Sequence, residues 1–456
     1  MLGYNGETEL HLPLREGGMS GGGDAPASGL LGLRRLISPR SGAAISLGIF
    51  VVLLTIYAFS PVRTSFDSRW SLHTAMSMVR GHGGDLTEYM PALKRNDFYA
   101  VEYPGGRPHT YFPIGASILA MPAVAVAWWV RPAFFAELQD HVPDGFEKIV
   151  ASIIGAAAAV VFFWLVYSQF EVPGTAFAAT ATFALGTSMW STATRALWQH
   201  GPLVLMFTIV MLLTVRASRR PALVQYAGLP LAMAYIIRPT AAVAIVVISV
   251  YVFVFYRAWF LQYIGWAMIA AVPWIVFNYW IYGAMLPPYY APSRIAADSS
   301  FIQGLLGILF SPSRGLLVFT PVMAFAVSGF VLALREPEQR QLHIAFGAIV
   351  LGIASIIAAW PEWWGGHAFG PRFMTDVVPF LVYFVAFNFR LPAGTSRPAR
   401  IWLSSSVAVF AAVGVVIHAQ GALRTPPMYW NVIPNNIDQN PSRLWDWKDP
   451  QFLRLR

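Results

Sequence analysis

Long apolar runs recur along almost the whole chain, and they constrain its fold more than any other feature of the sequence. Most are about 17 residues or longer, the length at which an α-helix crosses the roughly 30 Å hydrocarbon core of a bilayer. The strands of a membrane barrel are shorter, about 10 residues, and alternate in polarity. Charged residues make up 12% of the 456 positions, about half of what soluble domains carry. The sequence therefore predicts an all-α polytopic membrane protein.

The arginines between the apolar runs predict how the chain crosses the membrane. Arg34 and Arg35 precede the first run, which places the N-terminus in the cytoplasm because basic flanks stay on that side. Counting every run as a span would place the basic connectors 216–221 and 390–400 outside, against the same rule. The conflict disappears if the run 111–130 lies along the membrane surface or dips into it.

The run 111–130 has the features of an interfacial element. It begins with Tyr-Phe-Pro and contains Pro122 and Trp128-Trp129, and aromatic residues concentrate at membrane interfaces. We therefore predict about 11 transmembrane helices, a cytoplasmic N-terminus, an extracytoplasmic C-terminus and outer loops that bear interfacial helices. The predicted spans are 43–60, 149–168, 174–190, 201–216, 222–237, 240–256, 260–282, 315–334, 342–359, 374–389 and 401–420.

The chain divides into three predicted regions. Residues 1–40 are rich in glycine and poor in large apolar residues, which predicts a disordered cytoplasmic tail. Residues 41–420 form the membrane domain, and residues 421–456 an aromatic extracytoplasmic tail that we expect to pack over the outer face. Within the membrane domain, the first outer loop, 61–113, and a second large outer loop, 283–314, hold much of the polar content. Long loops are usually functional or disordered, so we expect the active site on this outer face.

Composition excludes several function classes. The chain has no cysteine, so it forms no disulfide and no thiolate nucleophile or metal site. Its net charge is +9, but the 31 basic residues are spread over short connectors, which is typical of membrane topology rather than of nucleic-acid binding. P-loop, dinucleotide and Gly-x-Ser-x-Gly motifs are absent. No cofactor is predicted; Asp67, Glu102, Glu362 and the histidines leave a divalent metal open, without a closely spaced ligand motif to support one.

Two residues are candidates for acid–base chemistry from their positions. Asp67 lies a few residues after the first span, where it either caps a following helix or acts as a general base at the membrane surface. His200, at the outer end of a span, is the second candidate, although a single histidine is more often a packed hydrogen-bonding residue.

The segment 360–372 reads Trp-Pro-Glu-Trp-Trp-Gly-Gly-His-Ala-Phe-Gly-Pro-Arg. Its tryptophans, Trp363 and Trp364, lie beside glycines that permit close backbone approach, which favours a platform for a sugar or a lipid headgroup. The alternative is an ordinary aromatic belt, but a belt does not need the glycines. We include Glu362 among the substrate-binding candidates, together with Arg107 and Tyr111 from the first loop.

Three arginines at outer span ends are candidates for binding phosphate. Arg238, Arg314 and Arg372 are predicted to lie at one depth on the same face, and guanidinium groups pair bidentately with phosphate. The alternative for each is an arginine that extends its charge to the interface while its stem stays in the membrane.

At these residues the chain resembles a GT-C class membrane glycosyltransferase, similar to the family-39-like relatives of protein O-mannosyltransferases and aminoarabinose transferases. The resemblance covers roughly residues 43–390 in topology. It departs from the pattern at one point, since many relatives have an acidic pair in the first loop whereas Ser68 follows Asp67 here. Glu102 and Asp85, from the same loop, are therefore substitutes for Asp67 as the base. The motifs that carry it are Asp67, Tyr111-Phe112-Pro113, Arg238-Pro239-Thr240, Ser311-Pro312-Ser313-Arg314-Gly315, Trp363-Trp364-Gly365-Gly366 and Gly370-Pro371-Arg372.

The resemblance implies a function at the extracytoplasmic face of a bacterial inner membrane. A sugar would pass, with inversion, from a polyprenyl-phosphate donor to a hydroxyl of an envelope glycan, a lipid or a protein. Asp67 would act as the base, and the arginines would stabilise the leaving phosphate. Two alternatives remain open: a flippase or transporter of a lipid-linked glycan, and an oligosaccharide ligase or polymerase. The absence of a visible internal repeat and of charges near span centres favours the enzyme.

Overall fold

The computed structural model describes residues 37–64, 67–95, 100–133, 144–291, 300–390 and 394–454. Of the predicted tail 1–40, residues 1–36 lie outside the described residues. By their internal contacts, Met1–Ala43 and Ala44–Arg456 form separate units. The site and the packing discussed below belong to the second unit.

About 74% of the residues that the structure describes are helical, as expected where apolar residues surround a backbone that must satisfy its own hydrogen bonds. The helices in the first half are α1 (Pro39–Phe59), α2 (Ser71–Val79), α3 (Met90–Arg95), α4 (Gly115–Val130), α5 (Asp144–Phe170), α6 (Pro173–Leu185) and α7 (His200–Ala217). Those in the second half are α8 (Gly228–Ile237), α9 (Ala242–Phe255), α10 (Phe260–Tyr282), α11 (Phe301–Phe310), α12 (Leu316–Phe319), α13 (Phe325–Ala333), α14 (Arg340–Ala358), α15 (Val378–Ala386), α16 (Arg397–Leu423) and α17 (Pro426–Tyr429).

Several helices are extended by a turn of 3₁₀ helix at one end. These turns include Pro221–Ala227 before α8, Pro239–Ala241 before α9, Pro321–Ala324 before α13 and Arg372–Val377 before α15. Three of the four begin with proline, which fits the first helical turn because its missing N–H would have no partner there. The only sheet in the described residues is a hairpin of β1 (Val101–Glu102) and β2 (His109–Thr110), in which Glu102 lies opposite His109.

Seven helices in the described residues are long and apolar enough to cross a membrane, so the protein is an all-α membrane protein. Five shorter apolar helices accompany them, 10–17 residues long. At a rise of 1.5 Å per residue, 17 residues reach about 26 Å, less than the hydrocarbon core. The 11-span count therefore stays a prediction. The seven spans are Arg40–Phe59, Gly145–Phe170, His200–Ala217, Arg257–Tyr282, Arg340–Ala358, Arg372–Phe389 and Arg397–Leu423.

The spans differ in how much of their surface the protein itself covers. Helices α5 and α7 pack against each other and are mostly buried, whereas α10 and α16 expose large apolar side chains such as Met268 and Phe410. Exposed apolar side chains on a helix of this length are suited to contact with lipid tails. The bundle therefore has α5 and α7 in its interior.

The first outer loop forms a compact layer with α4. Trp70, Met76 and Tyr89 are buried and pack in one cluster with Ala116 and Ala120 of α4. Helix α2 begins after Trp70, which supplies no side-chain cap, and Asp67 lies three positions before that residue. The described residues of this loop thus form a folded layer with α4.

Helices α13 and α15 approach each other at Gly329. A Cβ atom added there would overlap the carbonyl oxygen of Phe384 and meet the side-chain nitrogen of Asn388 at 3.0 Å. Gly48, on α1, has open space in the same position. Glycine at position 329 is therefore required by the close contact of two backbones.

We expect Gly329→Ala to destabilise the protein by about 1–3 kcal/mol, the usual cost of adding a carbon to a filled contact. The measurement is thermal unfolding of the purified protein in detergent, with Gly48→Ala as the matched control in open space. Equal melting temperatures for the two variants would contradict the tight packing of α13 on α15.

Candidate active site

A cavity of about 760 Å³ opens between the first outer loop and the segment 360–373. One part of its lining is charged, and the other is aromatic and aliphatic. The charged and polar lining residues include Asp67, Ser68, Gln199, Arg238, Thr240, Glu362, His367, Arg372 and Asp438. The apolar part includes Phe112, Tyr235, Tyr289, Tyr290, Ile356, Ile357 and Phe373. A cavity of this kind suits a ligand with a polar head and an apolar chain.

Arg372 connects two of the residues that the sequence singled out. Its guanidinium forms an ion pair with the carboxylate of Asp67, and its Nε donates a hydrogen bond to Nε2 of His200 at 3.3 Å. It also lies over the ring of Trp198, 4.2 Å from the centroid. Because Nε2 of His200 accepts, the imidazole carries its proton on Nδ1, an assignment made from the hydrogen-bond network.

The Nδ1 proton of His200 is donated to Asp376, whose Oδ1 lies 2.7 Å away. Both side chains are fully buried. The other carboxylate oxygen of Asp376 lies 2.7 Å from Nε of Arg238. That contact is an ion pair rather than an aligned hydrogen bond, since neither atom has a hydrogen-bond partner by geometry.

The buried Asp376 therefore links two arginines of the cavity wall. Arg238 pairs with it directly, and Arg372 reaches it through His200. Both guanidinium groups flank the ring of Phe373, at 5.2 Å and 5.8 Å from its centroid. The arrangement presents two cations to one cavity while Asp376 and both of these arginines each have an oppositely charged or hydrogen-bonding partner.

Glu147, in the first turn of α5, fixes the segment that carries Asp67. Its Oε1 accepts hydrogen bonds from the hydroxyl of Ser68 at 2.5 Å and from the backbone N–H of Leu197 at 2.8 Å. Glu147 is buried, so it joins the first outer loop to the connector before α7. The carboxylate of Asp67 is held in this way against the end of the bundle.

The apolar wall of the cavity is held by Tyr290. Its hydroxyl donates to the carbonyl oxygens of Tyr235 at 2.8 Å and Ile236 at 3.0 Å, at the end of α8. The neighbouring Tyr289 packs edge-on against Tyr111, with centroids 5.5 Å apart. Tyr111 thus supports the aromatic wall from outside the cavity lining.

Arg314 lies outside the cavity lining and is 1% exposed. It donates to three carbonyl oxygens, including that of Trp364 at 3.0 Å, and to Oε1 of Gln451 at 2.7 Å and Oδ1 of Asn431 at 2.6 Å. Burial lowers its pKa and the Asp438 carboxylate acts in the opposite direction. This arginine joins the C-terminal segment to the loop before α15.

The two predicted platform tryptophans also lie behind the cavity rather than in its lining. Trp363 is buried against Gly307 of α11. Trp364 donates its indole N–H to Oδ1 of Asp438 at 3.0 Å. The residues of the segment 360–372 that line the cavity are Trp360, Glu362, Gly365, Gly366, His367 and Arg372.

The remaining candidates in the first loop lie outside the cavity lining. Glu102 accepts a hydrogen bond from the hydroxyl of Tyr282 at 2.5 Å. Burial raises its pKa, and that hydrogen bond acts in the opposite direction. Arg107 is exposed and lies 3.5 Å from Asp85, which accepts hydrogen bonds from Thr87. The structure therefore brings Asp67, His200, Arg238, Glu362 and Arg372 together, and the other candidates lie apart from them.

Sequence reasoning missed Asp376 and Asp438. A carboxylate four residues into the apolar run that follows Arg372 was a usable signal, because ionisable residues at such positions are generally functional. Nothing in the sequence places Asp438, from the C-terminal tail, beside the cavity. Arg195 was missed as well: it is buried, and its Nε and Nη2 have no hydrogen-bond partner within the described part of the chain.

No family profile matches this chain, and no curated protein sequence matches it. In the residues that the structure describes, no three side chains of histidine, aspartate or glutamate converge as a metal site would require. The site must therefore be interpreted from its own geometry.

We expect Arg314→Ala to loosen the C-terminal segment. The variant removes the Arg314 donor from Oδ1 of Asn431 and one of the two donors from Oε1 of Gln451, and a buried acceptor left unsatisfied costs about 1–3 kcal/mol. Limited proteolysis should then cleave residues 424–454 faster, and thermal unfolding in detergent should begin at a lower temperature. Arg219→Ala, at an exposed ion pair with Glu171, is the control, and a tail that stays as resistant in Arg314→Ala as in this control would contradict the role of Arg314.

Proposed function

We propose that this protein is a GT-C-like membrane glycosyltransferase that moves a sugar from a polyprenyl-phosphate donor to an acceptor hydroxyl, with inversion. The observation that carries the proposal is one cavity in which two coupled arginines, a carboxylate and an apolar aromatic wall meet. In this assignment the cavity lies at the extracytoplasmic face of a bacterial inner membrane, in a bundle of about 11 spans with a cytoplasmic N-terminus. The acceptor is an envelope glycan, a lipid or a protein.

The two parts of the cavity match the two parts of such a donor. Arg238 and Arg372 supply charge-assisted hydrogen bonds to a phosphate, for which planar guanidinium groups are well suited. The wall of Phe112, Tyr235 and Tyr290 offers apolar surface to the first isoprene units. A soluble sugar nucleotide would have no use for that wall.

Asp67 and the donor phosphate compete for Arg372 in this proposal. Without donor, the carboxylate of Asp67 is paired with the guanidinium of Arg372. When a phosphate binds to Arg372, the carboxylate loses part of its partner, and a carboxylate beside a bound anion accepts a proton more readily. Donor binding thereby prepares Asp67 to act as a base.

The transfer step follows from these positions. The acceptor oxygen attacks the anomeric carbon while Asp67 takes the hydroxyl proton. The bond from that carbon to the phosphate oxygen breaks, and its electron pair stays on the phosphate, which leaves as polyprenyl phosphate. Arg238 and Arg372 stabilise the charge that develops on this leaving group. The products are the inverted glycoside, the lipid phosphate and a protonated Asp67.

We expect a deletion strain to lose one sugar from its envelope glycans, and wild-type protein but not Asp67→Asn to restore it. Removing a general base costs about 10²–10⁴-fold in rate. Mass spectrometry of the envelope glycans gives the readout, with immunoblots to match expression. The missing mass identifies the sugar.

Three other outcomes would contradict this proposal in different ways. Full restoration by Asp67→Asn together with failure of Glu102→Gln would move the base to Glu102. A complete lipid-linked glycan left at the cytoplasmic side after deletion would support the transporter alternative. A missing oligosaccharide block, rather than one sugar, would support the ligase or polymerase.

The competition for Arg372 predicts that the Asp67→Asn substitution strengthens the binding of lipid phosphate although it slows sugar transfer. We expect Asp67→Asn to bind undecaprenyl phosphate more tightly than wild type, because the amide no longer neutralises Arg372. Arg238→Gln should bind it about 10- to 100-fold more weakly, since a hydrogen bond to a charged group contributes about 1.5–3 kcal/mol. Microscale thermophoresis in detergent measures both, and weaker binding by Asp67→Asn would contradict the competition.

A further inference from the structure

The C-terminal segment 424–454 is fixed against the cavity by Gln451. This residue is fully buried, and its amide nitrogen donates to the carbonyl oxygens of Ala368 at 2.8 Å and Pro427 at 3.0 Å. Its amide oxygen accepts from Arg314 at 2.7 Å and from the N–H of Gly370 at 3.0 Å. All four hydrogen-bonding positions of the glutamine are used, so the segment is held in one register.

The middle of the same segment is closed by Trp430. The indole is buried and donates to the carbonyl oxygen of Asp449 at 2.8 Å. Arg443 lies over its ring at 4.3 Å and donates to the carbonyl oxygens of Trp430 and Ile433. Residues 430–449 therefore form a closed loop whose tip has a defined position.

The tip of that loop supplies Asp438 to the cavity wall. One carboxylate oxygen accepts from the indole of Trp364 at 3.0 Å, and the other lies 3.2 Å from Nε2 of His367. Nε2 of His367 also lies 3.0 Å from the amide oxygen of Asn436. A carboxylate has about four acceptor positions, so Asp438 keeps acceptor capacity for a ligand, and 47% of its side chain is exposed.

The lining of the cavity carries charges of both signs. Arg238 and Arg372 attract a phosphate, whereas Glu362 and Asp438, both in the lining, repel it. The sugar of a lipid-phosphate donor is neutral and carries several hydroxyls, which can donate hydrogen bonds to these carboxylates. The sugar therefore fits the region of Glu362 and Asp438 when the phosphate lies at the arginines.

We propose that the C-terminal segment determines the sugar specificity of this site, with Asp438 accepting hydrogen bonds from hydroxyls of the donor's sugar. The inference rests on the proposed glycosyl transfer and assigns the sugar-binding wall of the same cavity. Asp438 makes no contact with the bond that breaks and is a specificity residue rather than a catalytic one. His367 and Trp364 orient its carboxylate from behind.

Two kinds of probe separate the sugar from the rest of the donor. Binding to the full-length protein in detergent is measured for citronellyl phosphate and for its mannosyl, glucosyl and arabinosyl phosphodiesters. The quantity of interest is the affinity ratio between each glycosylated probe and the bare phosphate. Asp438→Asn keeps the size of the side chain, and Asp446→Asn is the matched control, since Asp446 is exposed in the same segment and only caps the N–H of Lys448.

We expect wild type to bind one glycosylated probe about 10-fold or more above the bare phosphate, as one or two hydrogen bonds to a charged acceptor would give. Asp438→Asn should reduce that ratio towards one without weakening the binding of the bare phosphate, because the substitution removes a charge that repels phosphate, while Asp446→Asn keeps both the ratio and the binding of the bare phosphate. A ratio that survives in Asp438→Asn, or an equal loss for glycosylated and bare probes, would overturn the assignment of Asp438. So would a wild-type protein that binds the bare phosphate but discriminates among no sugars.

The experiment also separates failure of this inference from failure of the proposed function. If wild type binds none of the lipid phosphates, and Arg238→Gln changes nothing, the glycosyl-transfer proposal itself falls and the specificity assignment falls with it. If binding of the bare phosphate depends on Arg238 but no ratio depends on Asp438, only the specificity assignment falls.

Discussion

The whole site depends on one buried carboxylate, Asp376. It is fully buried at the start of a membrane-spanning segment, where an isolated charge would be very costly. It is tolerated because the His200 imidazole donates a hydrogen bond to one of its oxygens and the Arg238 guanidinium forms an ion pair with the other. The same pairing places Arg238 in the cavity wall and, through His200, positions Arg372. A structural requirement of the bundle thus also creates the cationic region of the cavity.

The part of the site that contains the two arginines is close to electrically balanced before a ligand binds. Arg238 is paired with Asp376, Arg372 with Asp67, and the imidazole between them is neutral in the tautomer assigned. A phosphate that binds adds a negative charge, which leaves Asp67 as the group able to take up a proton. Balance is restored once the lipid phosphate has left and Asp67 has released the proton that it took from the acceptor. The same arrangement of arginines and aspartates therefore accounts both for the binding of a phosphate and for the proposed proton transfer to Asp67.

How much of this could be predicted from sequence depends on the kind of signal. The fold class followed from the lengths of the apolar runs, because only helices satisfy the backbone in a bilayer. Asp67, His200, Arg238 and Arg372 were selected because each lies at the end of a run on the same predicted face, and the structure gathers them at one cavity. The lengths of the apolar runs did not determine the number of spans, because helices that begin with proline, such as Pro173–Leu185, are shorter than the hydrocarbon core of a bilayer.

Other features required long-range contacts that no local pattern reveals. Arg314 lies at the end of an apolar run, as Arg238 and Arg372 do, and was therefore predicted to bind phosphate with them. In the structure it donates instead to Gln451 and Asn431, which are more than 100 residues away in the sequence. Asp438 lines the cavity because the C-terminal segment folds back over the cavity. The spacing of residues in the sequence does not predict this contact. Rules of periodicity and charge place residues along a membrane, but they do not determine which of them face a common space.

The most direct measurement of the central claim is a cryo-electron microscopy structure of the protein with undecaprenyl phosphate. The account predicts phosphate density within hydrogen-bond distance of both Arg238 and Arg372, an opened Asp67–Arg372 pair, and the lipid chain along the wall of Phe112, Tyr235 and Tyr290. Lipid phosphate bound elsewhere, with the Asp67–Arg372 pair intact, would contradict it.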